Sequence, residues 1–294
     1  MEEHGIMSGL PNDYALVHFH RFQQIKTATK QVFDALAENG GGNQFVVVLG
    51  LPETARRRLD TEKNCLDGIS FRFMWENYTG LIKVIPSAEH DFTTGAIRTH
   101  LERMFTGMGI ARDEVGFAMS TTHKPAVGNR GKQADECFWP LSRQPRPGRA
   151  HGWPTLVIET GVSESLRRLR EDACWWFHNS LGDVRIVLIV CINRRTRKIL
   201  VEKWQLAPAG TPNPMTRNMR IQLSNPNQQP PLGQQPVASQ QPYAAQEIEI
   251  NSATVQGAPL ILNFEAVLDR PRQGNESDLV FNTSDLLYCA RMMI

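Results

Sequence analysis

The sequence predicts an α/β (α+β) fold: a central mixed β-sheet flanked by helices. Three observations carry this. Short runs of apolar and β-branched residues, such as Phe45-Val-Val-Val-Leu-Gly-Leu51, recur along the chain and have the length and composition of strands. Between them, apolar residues recur at helical spacing, as at Ile97, Leu101, Met104, Phe105 and Met108. Residues 184–192 are almost wholly apolar, which suits a central strand covered on both faces.

Taken in order, residues 14–38 carry Phe19, Phe22, Val32, Phe33 and Leu36 among polar positions, and a helical opening is expected there. Gly40, Gly41 and Gly42 end it. Strands are expected at 45–51, 69–75 and 81–85, and a helix over 87–108 with Ser87 as its N-cap. Residues 115–120 read as a strand, 121–131 as a loop leading to Asp135, and the Pro/Arg/Gly-rich stretch 140–154 as an exposed connection. A strand over 155–159 ends in Glu159; a helix over 165–177 follows, then strands at 184–192 and 198–206. Residues 207–246 are dominated by Pro, Gln and Asn, a composition that buries too little apolar surface to offset its ordering entropy. The expectation is a core over 1–206, a flexible linker or loop over 207–246, and strands plus a helix over 247–294 packing back on the core. In that last part, 247–251 and 260–268 read as strands and 283–292 as an amphipathic segment.

The bulk composition narrows the functional classes. An apolar fraction of 41% is ordinary for a globular chain, and no segment approaches the roughly 20 apolar residues that cross a bilayer. The acidic start, Met-Glu-Glu-His-Gly, does not resemble a secretory signal, so an intracellular location, cytoplasmic or nuclear and without membrane contact, is expected. Five scattered cysteines without a CxxC pair argue against a zinc knuckle or a disulfide framework. The net charge is only +2, but residues 124–203 hold 15 Lys/Arg against 8 Asp/Glu. Such a basic stretch is either a solvated face or the surround of a phosphate-handling site. No Walker loop, Gly-x-Ser-x-Gly elbow or His-Glu-x-x-His is present.

Within 131–205, Asp135 beside one strand and Glu159 near the end of the next are the candidate site. Two carboxylates on adjacent strands can share Mg²⁺ or Mn²⁺, which grips a phosphate oxygen and acidifies a bound water. Each is otherwise a solvated acid at a strand end. Lys132 to Asp135, Trp153 to Glu159 (Trp-Pro-Thr-Leu-Val-Ile-Glu) and Leu169 to Trp176 give the stretch a further character. It resembles the PD-(D/E)XK nuclease superfamily, the restriction-endonuclease-like group, and more closely a set of uncharacterised fungal proteins, over about 80–206. The resemblance implies a restriction-endonuclease-like core with a long Pro/Gln-rich insertion, Mg²⁺-dependent cleavage of nucleic acid, Asp135 and Glu159 as metal ligands, and Glu89 as the acid of the first helix.

This chain departs from that pattern. Ala134 precedes Asp135 where the superfamily has Pro, and Glu159 is followed by Thr160 and Gly161, so the lysine of the E-x-K motif is absent. A cation must then come from elsewhere. Arg170 is the substitute, with Arg167 and Arg168 behind it; the bland reading is a surface arginine paired with a neighbouring acid. Lys132 either reaches inward or faces solvent. One of Ser163 and Ser165 caps the following helix, and both, with Arg167, are the candidate phosphate contacts. Trp175 and Trp176 are either core or a stacking surface for bases, and His90 either structural or an aid to the metal. Two functions remain open: a metal-dependent nuclease, or a catalytically inactive scaffold that acts as a binding or accessory protein, in a fungal specialised pathway by the resemblance. Nucleic acid is the implied partner, and the oligomeric state is not legible.

Overall fold

A computed structural model of the protein describes residues 5–85, 88–145, 147, 151–162, 166–212, 214–223 and 240–291, the side chain of residue 220 excepted. In chain order, β1 (Ala15–His18), α1 (Phe22–Asn39), β2 (Phe45–Leu49), α2 (Glu53–Thr61), β3 (Phe71–Glu76) and β4 (Thr79–Val84) precede the helix α3 (Ala88–Gly107). Four short strands follow: β5 (Val115–Phe117), β6 (Thr122–His123), β7 (Arg130–Gln133) and β8 (Glu136–Pro140). Then come β9 (Leu156–Val162), α4 (Leu166–Asn179), β10 (Ile186–Asn193) and β11 (Lys198–Leu206). The remainder comprises α5 (Arg217–Leu223), β12 (Pro242–Ile250), β13 (Val255–Gln256), β14 (Leu260–Leu262), α6 (Phe264–Leu268), β15 (Leu279–Phe281) and α7 (Thr283–Ala290).

These strands form two mixed sheets and a two-stranded antiparallel one. The first sheet has the order β1-β2-β4-β3-β7-β6, the second β13-β12-β11-β10-β9-β8-β5, and β14 pairs with β15. Alternation decides what each face of the first sheet meets. Val46, Val48, Phe71, Phe73, Trp75, Ile82 and Val84 point to one side and pack with Ile25, Leu36 and Leu59 of α1 and α2. Phe45, Val47, Met74 and Leu81 point to the other, where they meet Val157, Val187 and Ile189 of the second sheet and Leu169, Ala173 and Trp176 of α4. The far face of the second sheet, with Leu156, Ile158, Leu188 and Val190, is covered by α3, α6, α7 and the β14–β15 pair. The architecture is therefore mixed α/β, with helices flanking the sheets.

The chain changes sheet between β7 and β8. β7 pairs with β3 in the first sheet, whereas β8 pairs with β9 in the second, so Ala134 and Asp135 bridge the two layers. Gly131 fixes the register of this crossing. It stands opposite Trp75, and a Cβ there would lie 2.3 Å from the indole. With Gly131 flat against Trp75, Lys132 takes the opposite face, beside Met74, and enters the space between the sheets.

Several expectations are corrected. The opening stretch is not helical throughout: residues 15–18 spend their backbone groups on a parallel ladder with β2, and the helix starts only at Phe22. The loop over 121–131 contains β6 and the start of β7, because β7 completes the first sheet's pairing beyond β3. Glu159 lies in mid-strand: Thr160, Gly161 and Val162 stay paired with β10. Residues 264–268 form α6 rather than a continued strand, since Asn263 caps a helix by accepting from the Ala266 amide. The connection 140–154 is exposed only in part. Arg143 is buried, donating from Nε to Asp269 and from Nη1 to the carbonyls of Trp153 and Asp183. Helix α2 carried no expectation. Within 207–246, α5 and the start of β12 are formed, and Ala207, Met215, Tyr243 and Ala245 make a small apolar cluster. The N-cap residue Ser87 lies outside the described residues. None of the described helices is long and apolar enough to cross a membrane.

Candidate functional site

Asp135 and Glu159 both face the interior between the sheets, and both are essentially without solvent contact, at 1% and 2% exposure. The strands explain why. Asp135 sits at the crossing from β7 to β8. Glu159 occupies the face of β9 that Val157 also uses, toward α4 and the first sheet.

Asp135 is enclosed by donors. Its Oδ2 accepts from Lys83 Nζ at 3.0 Å and from the Thr160 amide at 2.9 Å. Its Oδ1 lies 3.4 Å from Arg72 Nε and 3.2 Å from His90 Nε2, without hydrogen-bond alignment to either. Lys83 comes from β4 in the other sheet and also donates to the Thr160 carbonyl at 2.7 Å; it ties the two sheets through one ammonium. Burial opposes ionisation of Asp135, but Lys83, His90 and Arg72 outweigh it and hold the carboxyl well below its ordinary value. Burial likewise opposes charge on His90, yet Asp135 and Asp91 prevail and raise the imidazole above its usual value.

Glu159 has fewer partners. Oε1 accepts from Trp176 Nε1 at 2.6 Å and lies 3.3 Å from Lys132 Nζ. Lys132 is shared: it lies 2.5 Å from Asp172 Oδ1. Asp172 in turn takes Arg168 Nη2 at 2.7 Å, one helical turn away on α4. Arg168 and Lys132 overcome the burial of Asp172 and lower its pKa. For Glu159, burial dominates, Lys132 only partly offsets it, and Asp172 and Asp135 add repulsion, so its carboxyl is raised.

The other expected site residues lie elsewhere. Glu89 pairs with Arg194 at 2.8 Å, and its neighbour His90 is the α3 residue that turns to Asp135. Arg170 grips Glu202, Nη2 to Oε1 at 2.5 Å; Glu202 also accepts from Trp204 Nε1 at 2.7 Å. Arg167 is exposed, and it is Arg168 that turns inward. Ser163 and Ser165 lie outside the described residues. Trp175 and Trp176 are core. Lys83, Arg72 and Asp172 were missed by sequence reasoning. Asp172 had a signal: it stands on the helix face of Leu169, Ala173 and Trp176, where a lone acid calls for a buried partner.

This donor set does not fit Mg²⁺ or Mn²⁺. A hard dication needs carboxylate oxygens turned toward one point with room for waters. Here ammonium and guanidinium groups already pair with the acids, and a dication would add to their positive charge. Among the described residues, no group of three or more His, Cys, Asp or Glu is placed to hold a metal.

No family model and no curated protein matches the chain. Among solved structures it is similar to a DUF820 protein from Anabaena variabilis, described as a putative nuclease. The identity is 11%, over 46% of this chain and 80% of that one, with a TM-score of 0.33.

Proposed function

We propose that this chain is a nuclease-like scaffold without hydrolytic activity, serving as a binding or accessory protein, and that its acid pair now holds the two sheets together. One observation carries the reading: each of the two acids is engaged by a lysine from the first sheet, Lys83 on Asp135 and Lys132 on Glu159. An acid kept for a metal and a phosphate needs an open approach, whereas these are covered by a sheet and neutralised. The exposed cations of the stretch 124–203, Arg167, Arg195 and Arg197 among them, make nucleic acid the partner class to test first.

A second reading, metal-dependent phosphodiester hydrolysis, draws on the convergence of Asp135 and Glu159 on one interior space, near enough for the charge of one to raise the other. It requires the sheets to part and both lysines to leave. The deciding experiment is a cleavage screen with Mg²⁺ and Mn²⁺ on single- and double-stranded DNA and RNA, with Glu159→Ala as control. The scaffold reading expects no metal-dependent cleavage above the control. Cleavage that disappears in both Asp135→Ala and Glu159→Ala would overturn it.

A further inference from the structure

We propose that His123 and His151 form a binding site for one soft monovalent cation, Cu⁺ by its chemistry, enclosed by indole rings. His123, at the end of β6, is 1% exposed, and neither of its ring nitrogens has a hydrogen-bond partner among the described residues. The Thr121 carbonyl favours a proton on the ring but is aligned with neither nitrogen. Buried polar nitrogens are paired in nearly every fold, so one left open calls for a guest. Around the ring stand Trp139 at 5.6 Å, Trp153 at 5.6 Å and Trp176 at 5.4 Å between centroids, and the His151 ring lies 5.2 Å away. His151 stacks on Trp139 at 4.7 Å. It is half-buried and forms the rim through which an ion enters.

Both rings offer a lone pair. His151 Nδ1 lies 3.1 Å from the Gly152 carbonyl. A carbonyl only accepts, so Nδ1 carries the proton and Nε2 is free to ligate. Burial and the neighbouring His151 push His123 down to about 3, so at neutral pH this ring is uncharged and keeps a lone pair too. The rings stand at 69° to each other; lone pairs lie in the ring planes and are therefore not parallel, as they would be in a stack.

The donor set selects the guest. Among the described residues no third His, Cys, Asp or Glu joins the pair to hold a metal. Mg²⁺ and Ca²⁺ call for oxygen ligands, and Zn²⁺ for three or four protein donors. A dication would also carry its charge into an apolar enclosure with no counter-charge. Cu⁺ brings half that charge, is served by imidazole nitrogen, and is attracted by the indole faces. The site goes beyond the scaffold reading and fails separately from it, since neither cleavage nor its absence bears on these two rings.

The test titrates the full chain with Ag⁺, a redox-inert probe, and with Cu⁺ under anaerobic conditions. Cys174 and Cys191, the cysteines that are not fully buried, are first replaced by serine to remove competing thiols. Tryptophan emission is expected to be quenched saturably, with one ion per chain. His123→Phe and His151→Phe each keep a ring in place, and each is expected to lose the saturable phase. X-ray absorption of the Cu⁺ form is expected to show imidazole nitrogen and no sulfur around the ion, and this decides the matter if a variant does not fold. Saturable quenching that persists in both variants, or sulfur next to the ion, would overturn the proposal. So would the lack of any saturable phase, which would leave His123 to a buried water.

Discussion

The Asp135 end and the Glu159 end of the inter-sheet centre are built from the same parts and reach opposite electrostatic states. Both acids are buried, both face a lysine from the first sheet, and each influences the other. Asp135 accepts from Lys83 and a backbone amide, with Arg72 and His90 close by; its pKa falls. Glu159 shares its lysine with Asp172 and otherwise relies on an indole N–H; its pKa rises. Burial is equal, so the number of cations and donors close to each carboxylate decides the sign. Asp135 is thus a fixed anion on which the sheets are pinned, and Glu159 is an acid that the fold can hold with its proton.

The largest expected effect comes from removing the fixed anion. Asp135→Asn leaves Lys83 and Arg72 buried without their counter-charge, and breaking a buried pair on one side costs about 3–5 kcal/mol. Urea denaturation at neutral pH measures it. The outcome also separates the two functional readings by sign. Carboxylates kept close for a metal repel one another in the metal-free protein, so neutralising one would stabilise it. A more stable Asp135→Asn would therefore break the contrast drawn above.

Lys132→Met sharpens the contrast from the other end. The variant removes the lysine that lies 3.3 Å from Glu159 but leaves Asp172 with Arg168. Glu159 can answer by keeping its proton, so the expected loss is smaller, about 2–3 kcal/mol, below the full cost of an orphaned buried charge. A loss as large as that of Asp135→Asn would show that Glu159 is as firmly ionised as Asp135.

Much of the second sheet could be read from sequence, because its strands are continuous apolar runs and α4 repeats its apolar face. Glu159 was legible for the same reason, at the end of a β-branched run, and Asp135 through the Gly-Lys-x-x-Asp pattern that it closes. Their partners were not. Lys83 lies in a strand whose alternation is loose, and its partner is 52 residues away; nothing local marks an inward lysine. Arg170 attracted attention through its position after Glu159, yet the helix turns Arg168 inward, and the 3.6-residue period rather than proximity in sequence settles which arginine meets the core. The first strand shows the same limit. Ala15 to His18 is too short to carry a period of two against the helical pattern that follows, and only the β2 ladder makes it a strand.

The smallest expected effect belongs to Glu159→Gln, and its pH dependence is the finest test of the comparison. The amide oxygen can still accept from Trp176, so the change at neutral pH should stay within about 1.5 kcal/mol, the scale of one hydrogen bond. The sign with pH follows from linkage. Above the ordinary value of 4.5, the unfolded chain has released a proton that folded Glu159 still holds. The unfolded state then binds fewer protons, and stability declines as pH rises until the folded carboxyl also ionises. Glutamine cannot titrate and loses this decline. The variant should therefore gain on the wild type as pH is raised from 4.5 toward neutrality, measured by urea denaturation at each pH. Asp135 has the reverse dependence: its contribution is fully present above the ordinary value of 3.8 and is lost only as pH falls through its depressed folded value. If Glu159→Gln instead lost ground on raising the pH, Glu159 would be an anion held as tightly as Asp135, and the two ends of the centre would be electrostatically alike.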